Sequence, residues 1–445
     1  MNDPLSIFAA ARAAAGATGL AIGEQRYTFA RLAELTRERL RLLPAGANDG
    51  APLVLPGTNR LETVITLYAL LEARVPALLL HPRLTPTETD EQVAAVQSRP
   101  INHADAAAVL FTSGTTGRPR GAVLTRTALV ASAQASAANL GWRDDDCWLL
   151  AMPIARIGGL SILTRCLAAR RTVALASAFD AASLPQTVDQ QHITLASLVP
   201  TMLARVLDAN PQWAPPDFLR AVLIGGATAS VRLLERAAAR RLPIVITYGC
   251  TETCSQVVAT PYDGRFDAAR YGAGRPLPGA QVRIVDGRLH VRGPMLMAGY
   301  LGEAALRPEA WFDTGDLGAI DAQGCLNVDG RRADLIVSGG ENVSPAEVER
   351  VLETFPGIRA AGVFGVPDET WGQAVAAALV VSGGLADDRS LADFVEARLA
   401  PHKRPRRICV VPALPQNEAG KLDRAALASL TASLRPLRAD RAGAI

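Results

Sequence analysis

The sequence predicts an α/β protein, with a large N-terminal layered α/β domain that includes a β-rich subdomain and a small α+β C-terminal domain. Three observations support this fold class. Short apolar runs alternate with longer helical patterns up to Tyr271, period-two alternation follows, and helices and strands mix again beyond Arg331. A chain of 445 residues with 49% apolar composition is expected to form more than one domain. We place the N-terminal domain at residues 1–331 and the C-terminal domain at residues 332–445.

In the first part of the chain, short apolar runs predict buried strands and the segments between them predict helices. The predicted strands are Ala51–Leu55, Ala77–Leu80, Ala108–Thr112, Leu195–Val199, Ala221–Ile224 and Ile244–Thr247. The predicted helices are Ala30–Leu42, Ala128–Asn139 and Val231–Arg240. Because parallel strands need crossover connections that are usually helical, this alternation predicts substantial parallel sheet.

Two hairpin patterns predict the β-rich subdomain. Gln281–Val285 and Arg288–Val291 alternate at period two around Asp286 and Gly287, a strong two-residue turn signal. Gly318–Val328 predicts a second hairpin.

The C-terminal domain is predicted to open with a capped helix. Ser344 is the expected N-cap, Pro345 takes the first helical position, and Glu347 would complete a capping box. The predicted elements are a helix at Pro345–Thr354, strands near Ala361–Val366 and Ala374–Val381, and a helix at Leu391–Ala400.

Charge and composition argue against several classes of protein. The net charge of +3 comes from 46 basic and 43 acidic residues, without the basic tract of a nucleic-acid-binding protein. The most apolar stretch, Val64–Leu80, is interrupted by Glu72, Arg74 and Pro76, too often to span a bilayer. The six cysteines form no CxxC pair, and no secretory signal precedes them. We expect a cytoplasmic protein that acts on small molecules, with no nucleic-acid partner, no membrane insertion and a homodimer as one possible assembly.

The strongest local pattern runs from Phe111 to Gly121 and combines glycines, hydroxyls and cations. Glycine lets backbone N–H groups approach an anion, and hydroxyl and guanidinium groups add donors to phosphate oxygens. The run follows a predicted strand and is expected to precede a helical segment. It contains no Gly-Lys-Ser/Thr, so it is not a Walker A loop. The residues expected to contact phosphate are Thr112, Ser113, Gly114, Thr115, Thr116, Gly117, Arg118 and Arg120.

This run resembles the signature loop of the adenylate-forming superfamily, which includes acyl- and aryl-CoA ligases, firefly luciferase and peptide-synthetase adenylation domains. That loop usually carries lysine where this chain has Arg120. The positive charge is kept, but a guanidinium is a planar fork whereas an ammonium is a point charge. We expect phosphate binding to be retained after this exchange, but not necessarily the catalytic rate.

Further segments resemble the same superfamily, in its order and at its spacings. They are Ala221–Ala227, Tyr248–Glu252, Trp311–Asp316, Gly330–Arg331 and Pro415–Lys421. The resemblance implies an adenine pocket formed by Gly225, Gly226, Ala227, Tyr248 and Gly249. It also implies that Asp316 and Arg331 contact the ribose and that Thr251 contacts the α-phosphate. Glu252 would bind Mg²⁺, and Lys421 would catalyse adenylation with Arg120 supplying positive charge. A carboxylate suits a hard cation held on polyphosphate. The hinge position, usually Asp or Lys, is Ala333, which can still absorb a backbone rotation.

The segment Met152–Leu160 stands where the superfamily commonly has a histidine beside its acid pocket, and Arg156 takes that position. A neutral exchange is one interpretation, and a cation placed for an anionic substrate group is the other. Several stretches, which include Gly159 and Ser197, resemble those of 2-succinylbenzoate–CoA ligases, whose substrate is a dicarboxylic acid. Arg156 and Arg165 are therefore candidates to bind the carboxylate that does not react.

The resemblance implies an enzyme that works in two steps. A carboxylic acid attacks the α-phosphorus of ATP to give an acyl-adenylate, and the thiol of coenzyme A then takes the acyl group as AMP leaves. ATP, Mg²⁺ and coenzyme A are the implied cofactors and co-substrates, and Gly339 and Gly340 would line the pantetheine tunnel. The superfamily rotates its C-terminal domain between the two steps, which implies that the small α+β C-terminal domain of this chain is mobile. No carrier domain follows Lys421, which favours a free acceptor.

Other functions stay open at this point. The acid could be another aryl or cyclic acid such as a benzoate, or a fatty or amino acid, and the acceptor could be a carrier protein. A non-catalytic nucleotide-binding relative is favoured only by Arg120 and Ala333, and the retained motif residues oppose it.

Overall fold

The structure is a computed structural model. The structure describes residues 3–44, 51–99, 101, 103–112, 119–262, 272–307, 309–331, 334–338, 341–368, 372–383, 388–417 and 420–437.

Helices and strands alternate through the first part of the chain. They are α1 (Ile7–Ala14), β1 (Thr18–Ile22), β2 (Gln25–Thr28), α2 (Phe29–Leu40), β3 (Leu53–Pro56), α3 (Leu61–Ala73), β4 (Ala77–Leu80), α4 (Pro86–Gln97), β5 (Ala106–Thr112), β6 (Arg120–Thr125), α5 (Arg126–Leu140), β7 (Cys147–Leu150), α6 (Ile157–Ala169), β8 (Thr172–Leu175), α7 (Leu184–Gln190), β9 (Leu195–Leu198), α8 (Pro200–Ala209), β10 (Ala221–Ile224), α9 (Val231–Ala239), β11 (Ile244–Cys250), β12 (Ser255–Ala259) and β13 (Arg275–Pro276). A 3₁₀ turn at Thr251–Thr253 joins β11 to β12.

The remaining elements are richer in strands. They are β14 (Gln281–Val285), β15 (Arg288–Arg292), β16 (Gly299–Tyr300), β17 (Phe312–Ile320), β18 (Leu326–Arg331), β19 (Ile336–Ser338), β20 (Glu341–Val343), α10 (Pro345–Glu353), β21 (Ile358–Asp368), β22 (Gly372–Val381), α11 (Asp388–Glu396), β23 (Arg407–Val410), α12 (Arg424–Leu427) and β24 (Arg435–Pro436), with 3₁₀ turns at Pro401–Lys403 and Ala428–Ser433.

The largest sheet has the strand order β13-β12-β11-β10-β9-β7-β8-β1-β2. Its centre, from β11 to β1, is parallel, and the strands at both ends are antiparallel. The predicted parallel sheet is therefore confirmed, and the predicted strands reappear within a few residues of their expected bounds. The central strands are buried on both faces, as their continuous apolar sequences require.

A second sheet has the strand order β16-β6-β5-β4-β3, and its side chains share a hydrophobic cluster with those of the first sheet. The predicted helix Ala128–Asn139 is confirmed within α5, which begins at Arg126. A strand that was not predicted precedes this helix: the phosphate-loop segment joins β5 to the antiparallel strand β6, with Thr112 opposite Arg120. The short apolar run Gly121–Thr125 fits either a strand or a helix start, and pairing with β5 decides for the strand.

The β-rich subdomain is a four-stranded sheet in the order β14-β15-β17-β18. Both predicted hairpins are confirmed. Asp286 and Gly287 have positive φ angles of 51° and 73°, as a two-residue turn with primed geometry requires.

The C-terminal elements form a sheet in the order β20-β19-β22-β23-β24, with β21 paired to β22. Helix α10 begins after Ser344 as predicted, but the capping box is absent. The Ser344 hydroxyl instead donates to the carbonyl of Asp329, and Glu347 binds Lys403 at 2.7 Å. Contacts with residues that are distant in sequence therefore take the place of the capping-box hydrogen bonds. The boundary between residues 331 and 332 stays a prediction.

No helix in the described part of the chain is long and apolar enough to cross a membrane.

Candidate active site

The predicted site residues gather where three parallel strands end. Strands β9, β10 and β11 run side by side, so their carboxyl ends meet at one edge of the large sheet. Ligands of open α/β sheets bind at such edges. The segments that follow these strands carry Thr201, Gly226 and Glu252, and all three lie at this edge.

Two positions after β10 require glycine, one because of close packing and the other because of its backbone conformation. A Cβ atom on Gly225 would lie 2.4 Å from the Thr247 hydroxyl oxygen, closer than real contacts allow. Gly226 has a φ of 80°, which side chains rarely adopt. Gly249 on β11 is equally restricted, because an added Cβ would lie 2.0 Å from the carbonyl oxygen of Ser255. This edge therefore presents bare backbone to a ligand.

Tyr248 joins the large sheet to the β-rich subdomain. Its hydroxyl donates to Oδ2 of Asp316 at 2.7 Å, and burial together with the negative charge of Asp316 raises the pKa of Tyr248 well above its usual value. Asp316 is itself buried and lies opposite Arg331 in the β17–β18 pair. The residues predicted for adenine and for ribose are thus neighbours, although 68 positions separate Tyr248 from Asp316.

Glu252 lies on the 3₁₀ turn after β11. Oε1 of Glu252 accepts a hydrogen bond from the Tyr300 hydroxyl at 2.7 Å, and its carbonyl accepts from the N–H of Met297 at 2.8 Å. Among the described residues, no cluster of three or more potential metal-ligating side chains occurs. A single carboxylate still fits Mg²⁺, which keeps waters and substrate phosphates as most of its ligands.

Lys421 reaches the same edge from the C-terminal part of the chain. Its Cε lies 3.8 Å from the position that a Cβ on Gly226 would occupy. The preceding residue is fixed as well, because the Thr201 hydroxyl donates to the carbonyl of Gly420 at 2.8 Å. The candidate catalytic lysine thus lies beside the candidate adenine pocket.

Part of the phosphate loop can be located. Thr112 ends β5 and donates to the carbonyl of Arg120 at 3.4 Å. The guanidinium of Arg120 lies 3.4 Å over the Tyr300 ring and binds Glu303 through both carboxylate oxygens at 2.7 Å. Six predicted phosphate contacts (Ser113, Gly114, Thr115, Thr116, Gly117 and Arg118), the predicted pantetheine contacts Gly339 and Gly340, and the hinge residue Ala333 lie outside the described residues.

Helix α6 carries the candidate acid-binding residues. Arg156 is its N-cap, and Gly159 packs so tightly that a Cβ would lie 2.2 Å from the carbonyl oxygen of Pro153. Asn59 fixes the preceding loop by donating to the carbonyl of Met152 at 3.1 Å and accepting from the N–H of Ile154.

Arg165, two turns further along α6, is buried. Its Nη2 donates to the Ser255 hydroxyl at 3.1 Å, its guanidinium lies 5.5 Å from the Trp148 ring, and its Nε has no acceptor among the described residues. No carboxylate of the described chain pairs with it. Burial lowers the pKa of Arg165 to about 10, so the group stays charged at neutral pH. Ser197 is linked to this group, because its hydroxyl accepts from the Trp148 indole at 3.0 Å.

Sequence reasoning assigned no role to four residues at or near this edge. Tyr300 and Glu303 are far in sequence from the groups that they bind, and Asn59 acts through backbone groups of a distant loop. The fourth is His81, whose pKa is lowered to about 4 by burial and then by the charges of Arg156 and Arg83. His81 is therefore neutral at pH 7. Two sequence signals pointed to it: its place directly after buried strand β4, and the stretch His81–Thr85, which resembles that of 2-succinylbenzoate–CoA ligases.

Two family models match the chain. The AMP-binding enzyme model matches residues 88–301, and the AMP-binding enzyme C-terminal domain model matches residues 347–421. The 2-succinylbenzoate–CoA ligase of Bacillus licheniformis is 36% identical to this chain, over 90% of this chain and 94% of the relative. That of Bacillus cereus is 35% identical, over 93% and 95%.

Solved structures agree with these relatives. The o-succinylbenzoate CoA synthetase of Bacillus subtilis, in complex with its acyl-adenylate intermediate, has a TM-score of 0.84 and 31% identity, and the match covers 96% of this chain and 98% of that one. The same synthetase with ATP and magnesium ion has a TM-score of 0.80 and 30% identity, with coverage of 96% and 99%. ATP-bound MatB from Rhodopseudomonas palustris has a TM-score of 0.84 but 24% identity, so it shows the fold alone.

Proposed function

The chain belongs to the AMP-binding enzyme family, and on that basis we propose that it is an AMP-forming carboxylic acid–CoA ligase acting on 2-succinylbenzoate through an acyl-adenylate. The observation that carries this proposal is the meeting of Lys421, Gly226, Tyr248 and Asp316 at one sheet edge. Relatives that carry this activity in their names match at least 90% of the chain. The product would supply menaquinone biosynthesis.

We assign the nucleotide to this edge. Tyr248 would stack on adenine against the bare backbone of Gly225 to Ala227, while Asp316 and Arg331 would bind the ribose hydroxyls. Asp316 already accepts one hydrogen bond from Tyr248, which fixes its carboxylate for further bonds. Thr251 would contact the α-phosphate.

Glu252 is the proposed protein ligand for Mg²⁺, and the ion would neutralise charge on the phosphates when bound. A carboxylate beside hydroxyl groups is a donor set that this hard cation accepts. The backbone and side chain of Glu252 are both tied to neighbouring residues, so the carboxylate is held in place before the ion arrives.

The chemistry depends on positioning and charge. The acid carboxylate attacks the α-phosphorus in line, forming one P–O bond as the bond to pyrophosphate breaks. Lys421 would bridge the attacking carboxylate and the α-phosphate, and Arg120 would add positive charge. In the second step the coenzyme A thiolate attacks the acyl carbon and AMP leaves. Gly339 and Gly340 remain the proposed pantetheine contacts.

Arg165 gives a reason for choosing a dicarboxylic acid. A buried guanidinium without a carboxylate partner in the described chain is costly, and an incoming anion would offset that cost. A bidentate bond would also orient the substrate. We therefore propose that Arg165 binds the carboxylate that does not react, with Arg156, Gly159 and Ser197 lining the same pocket.

The decisive test is acid-dependent pyrophosphate release from MgATP, with and without coenzyme A. The panel holds 2-succinylbenzoate, benzoate, 4-hydroxybenzoate, anthranilate, a medium-chain fatty acid and several amino acids. The expected result is strong turnover with 2-succinylbenzoate that depends on coenzyme A and is lost in Lys421→Ala. Turnover only with a simple benzoate would overturn the choice of acid, and transfer only to a phosphopantetheinylated carrier would overturn the acceptor.

We further propose that the protein acts in the cytoplasm and assembles as a homodimer. Light scattering after size exclusion tests the assembly, and a mass of one chain would refute it.

A further inference from the structure

The arginine that replaces the usual lysine of the phosphate loop is part of a connected group of four side chains. Glu303 binds Arg120, Arg120 lies on the ring of Tyr300, and Tyr300 binds Glu252. We propose that Tyr300 is a positioning residue for the Mg²⁺-binding carboxylate of Glu252, and that Arg120 and Glu303 act together to hold the Tyr300 ring. This inference rests on the proposed function, because it takes Glu252 as the metal ligand.

The segment that carries Tyr300 is fixed on both sides. In strand β16, Tyr300 pairs with Ala122 of β6, and the N–H of Leu301 donates to the carbonyl of Gly121 at 2.7 Å. The N–H of Met297 donates to the carbonyl of Glu252 at 2.8 Å. Backbone pairing therefore sets the distance between Tyr300 and the Glu252 turn before any side chain acts.

The Tyr300 hydroxyl adds a directional bond to this frame. It donates to Oε1 of Glu252 at 2.7 Å, the short distance of a hydrogen bond to a charged acceptor. Such a bond limits the rotation of the carboxylate about its last torsion angle. Residues that orient a metal ligand in this way typically change metal affinity by about 10- to 100-fold when they are removed.

Glu303 is placed by a tight turn that starts at Tyr300. The N–H of Glu303 donates to the carbonyl of Tyr300 at 3.0 Å. Between them, Gly302 has a φ of 76°, and an added Cβ would lie 2.6 Å from Cδ of Arg99. The turn thus needs glycine, and it holds the carboxylate of Glu303 beside the Tyr300 ring.

Arg120 fits the space between these two groups because of its shape. Its flat face lies 3.4 Å from the Tyr300 ring centroid, while Nε and Nη2 donate to Glu303 at 2.7 to 3.2 Å. A lysine ammonium cannot lie flat on a ring and also bind two carboxylate oxygens in a fork. Arg120, Tyr300 and Glu303 therefore form one unit, and this accounts for the exchange of lysine for arginine in this chain.

The test measures ATP binding by calorimetry in the absence of any acid, once with Mg²⁺ and once with EDTA. The ratio of the two affinities is the Mg²⁺ gain. In Tyr300→Phe we expect the gain to fall by about 10- to 100-fold while the affinity in EDTA is unchanged, since only the hydroxyl is lost. In Arg120→Lys and Glu303→Gln the gain should fall about two- to fivefold. In the double variant Tyr300→Phe with Arg120→Lys, the gain should fall no further than in Tyr300→Phe alone.

A matched control removes the same atom elsewhere. Tyr27→Phe deletes a hydroxyl that binds the exposed Gln25 at 2.8 Å, and it should keep the full gain. A full gain in Tyr300→Phe, or a further loss in the double variant, would overturn the inference while leaving the proposed function intact. Absence of any Mg²⁺ gain in the wild type would overturn the proposed function, and this inference with it.

Discussion

Two buried arginines of the N-terminal half, Arg220 and Arg165, differ in whether a carboxylate of the described chain neutralises their charge. Arg220 binds both oxygens of buried Asp146 at 2.6 and 2.8 Å and donates to the carbonyls of Leu140 and Gly141. Arg165 has one hydroxyl partner and an aromatic ring, and no carboxylate in the described chain. Both guanidinium groups are almost fully shielded from solvent.

The two environments shift the pKa values in opposite directions. Burial disfavours each charge, but the hydrogen bonds and negative charge of Asp146 raise the pKa of Arg220 above its usual value. Burial acts alone on Arg165 apart from a small opposing effect of Cys166, and it lowers the pKa to about 10. The guanidinium charge of Arg220 is neutralised by Asp146 within the fold, whereas we expect a bound ligand to neutralise the charge of Arg165.

The largest effect is expected from breaking the complete pair. Asp146→Asn leaves Arg220 buried without a counterion, so the free energy of unfolding should fall by about 3–5 kcal/mol. Urea denaturation followed by circular dichroism measures this change. Asp144→Asn is the matched control, because Asp144 is fully exposed and the loss of its pair with Arg171 should leave the free energy of unfolding nearly unchanged. Equal losses in the two variants would contradict the comparison.

Replacing Arg165 should damage function but not stability. For Arg165→Met we expect kcat/KM for 2-succinylbenzoate to fall about 30-fold or more, because the substrate carboxylate loses its buried partner. The value for benzoate should change little, and the free energy of unfolding should hold or rise as a buried charge is removed.

Arg156→Ala serves as the companion of that variant, since Arg156 lies at the start of the same helix. We expect it too to act more on the dicarboxylic acid than on benzoate. If Arg165→Met reduces turnover of both acids equally, Arg165 does not bind the second carboxylate.

The C-terminal half repeats the contrast with acidic residues on helix α10. Glu349 binds Arg424 through both oxygens, whereas one turn later burial, followed by the charge of Glu349, raises the pKa of Glu353 to about 7. A raised carboxyl pKa stabilises the fold fully below the unfolded value near 4.5, and this contribution is lost as pH rises through 7. Relative to Glu353→Gln, the wild type should therefore lose on the order of 2 kcal/mol between pH 4.5 and 8. Thermal unfolding across that range checks the sign, and parallel curves for the two proteins would refute it.

The smallest effect is expected from an exposed ion pair between the two halves. Asp208 on α8 binds Arg236 at 2.5 Å and Arg359 of β21 at 3.1 Å, and its side chain is 42% exposed. Asp208→Asn should change the free energy of unfolding by about 1 kcal/mol or less. Pyrophosphate release should stay within about threefold of the wild type. A loss as large as that of Asp146→Asn would show that exposure does not govern these pairs.

Local patterns in the sequence were sufficient to predict most of the fold. Strands such as Ala77–Leu80 and the turn at Asp286 and Gly287 depend on neighbours in sequence, and both are confirmed. The predicted capping box at Ser344 was wrong because Asp329 and Lys403 bind the two side chains that would have formed it. Strand β6 was not predicted, because a short apolar run fits a strand or a helix until its pairing with β5 is known.

The site was less accessible to sequence reasoning. Motifs identified Tyr248, Asp316 and Lys421, and the structure brings them to one edge. No pattern could show that Tyr300 binds Glu252, since 48 positions separate them. The missing counterion of Arg165 was equally hidden, because it is a property of packing around the side chain and not of the residue itself.

The position of Lys421 beside Gly226 also bears on the order in which the protein is made. The other residues proposed to bind the nucleotide have all left the ribosome once Arg331 has emerged, but the lysine emerges only ninety positions later. At about 5–20 residues per second, that is a delay of several seconds. During this interval we expect a nascent chain that carries the residues proposed to bind ATP but lacks the lysine proposed for adenylation, so that it does not yet consume nucleotide.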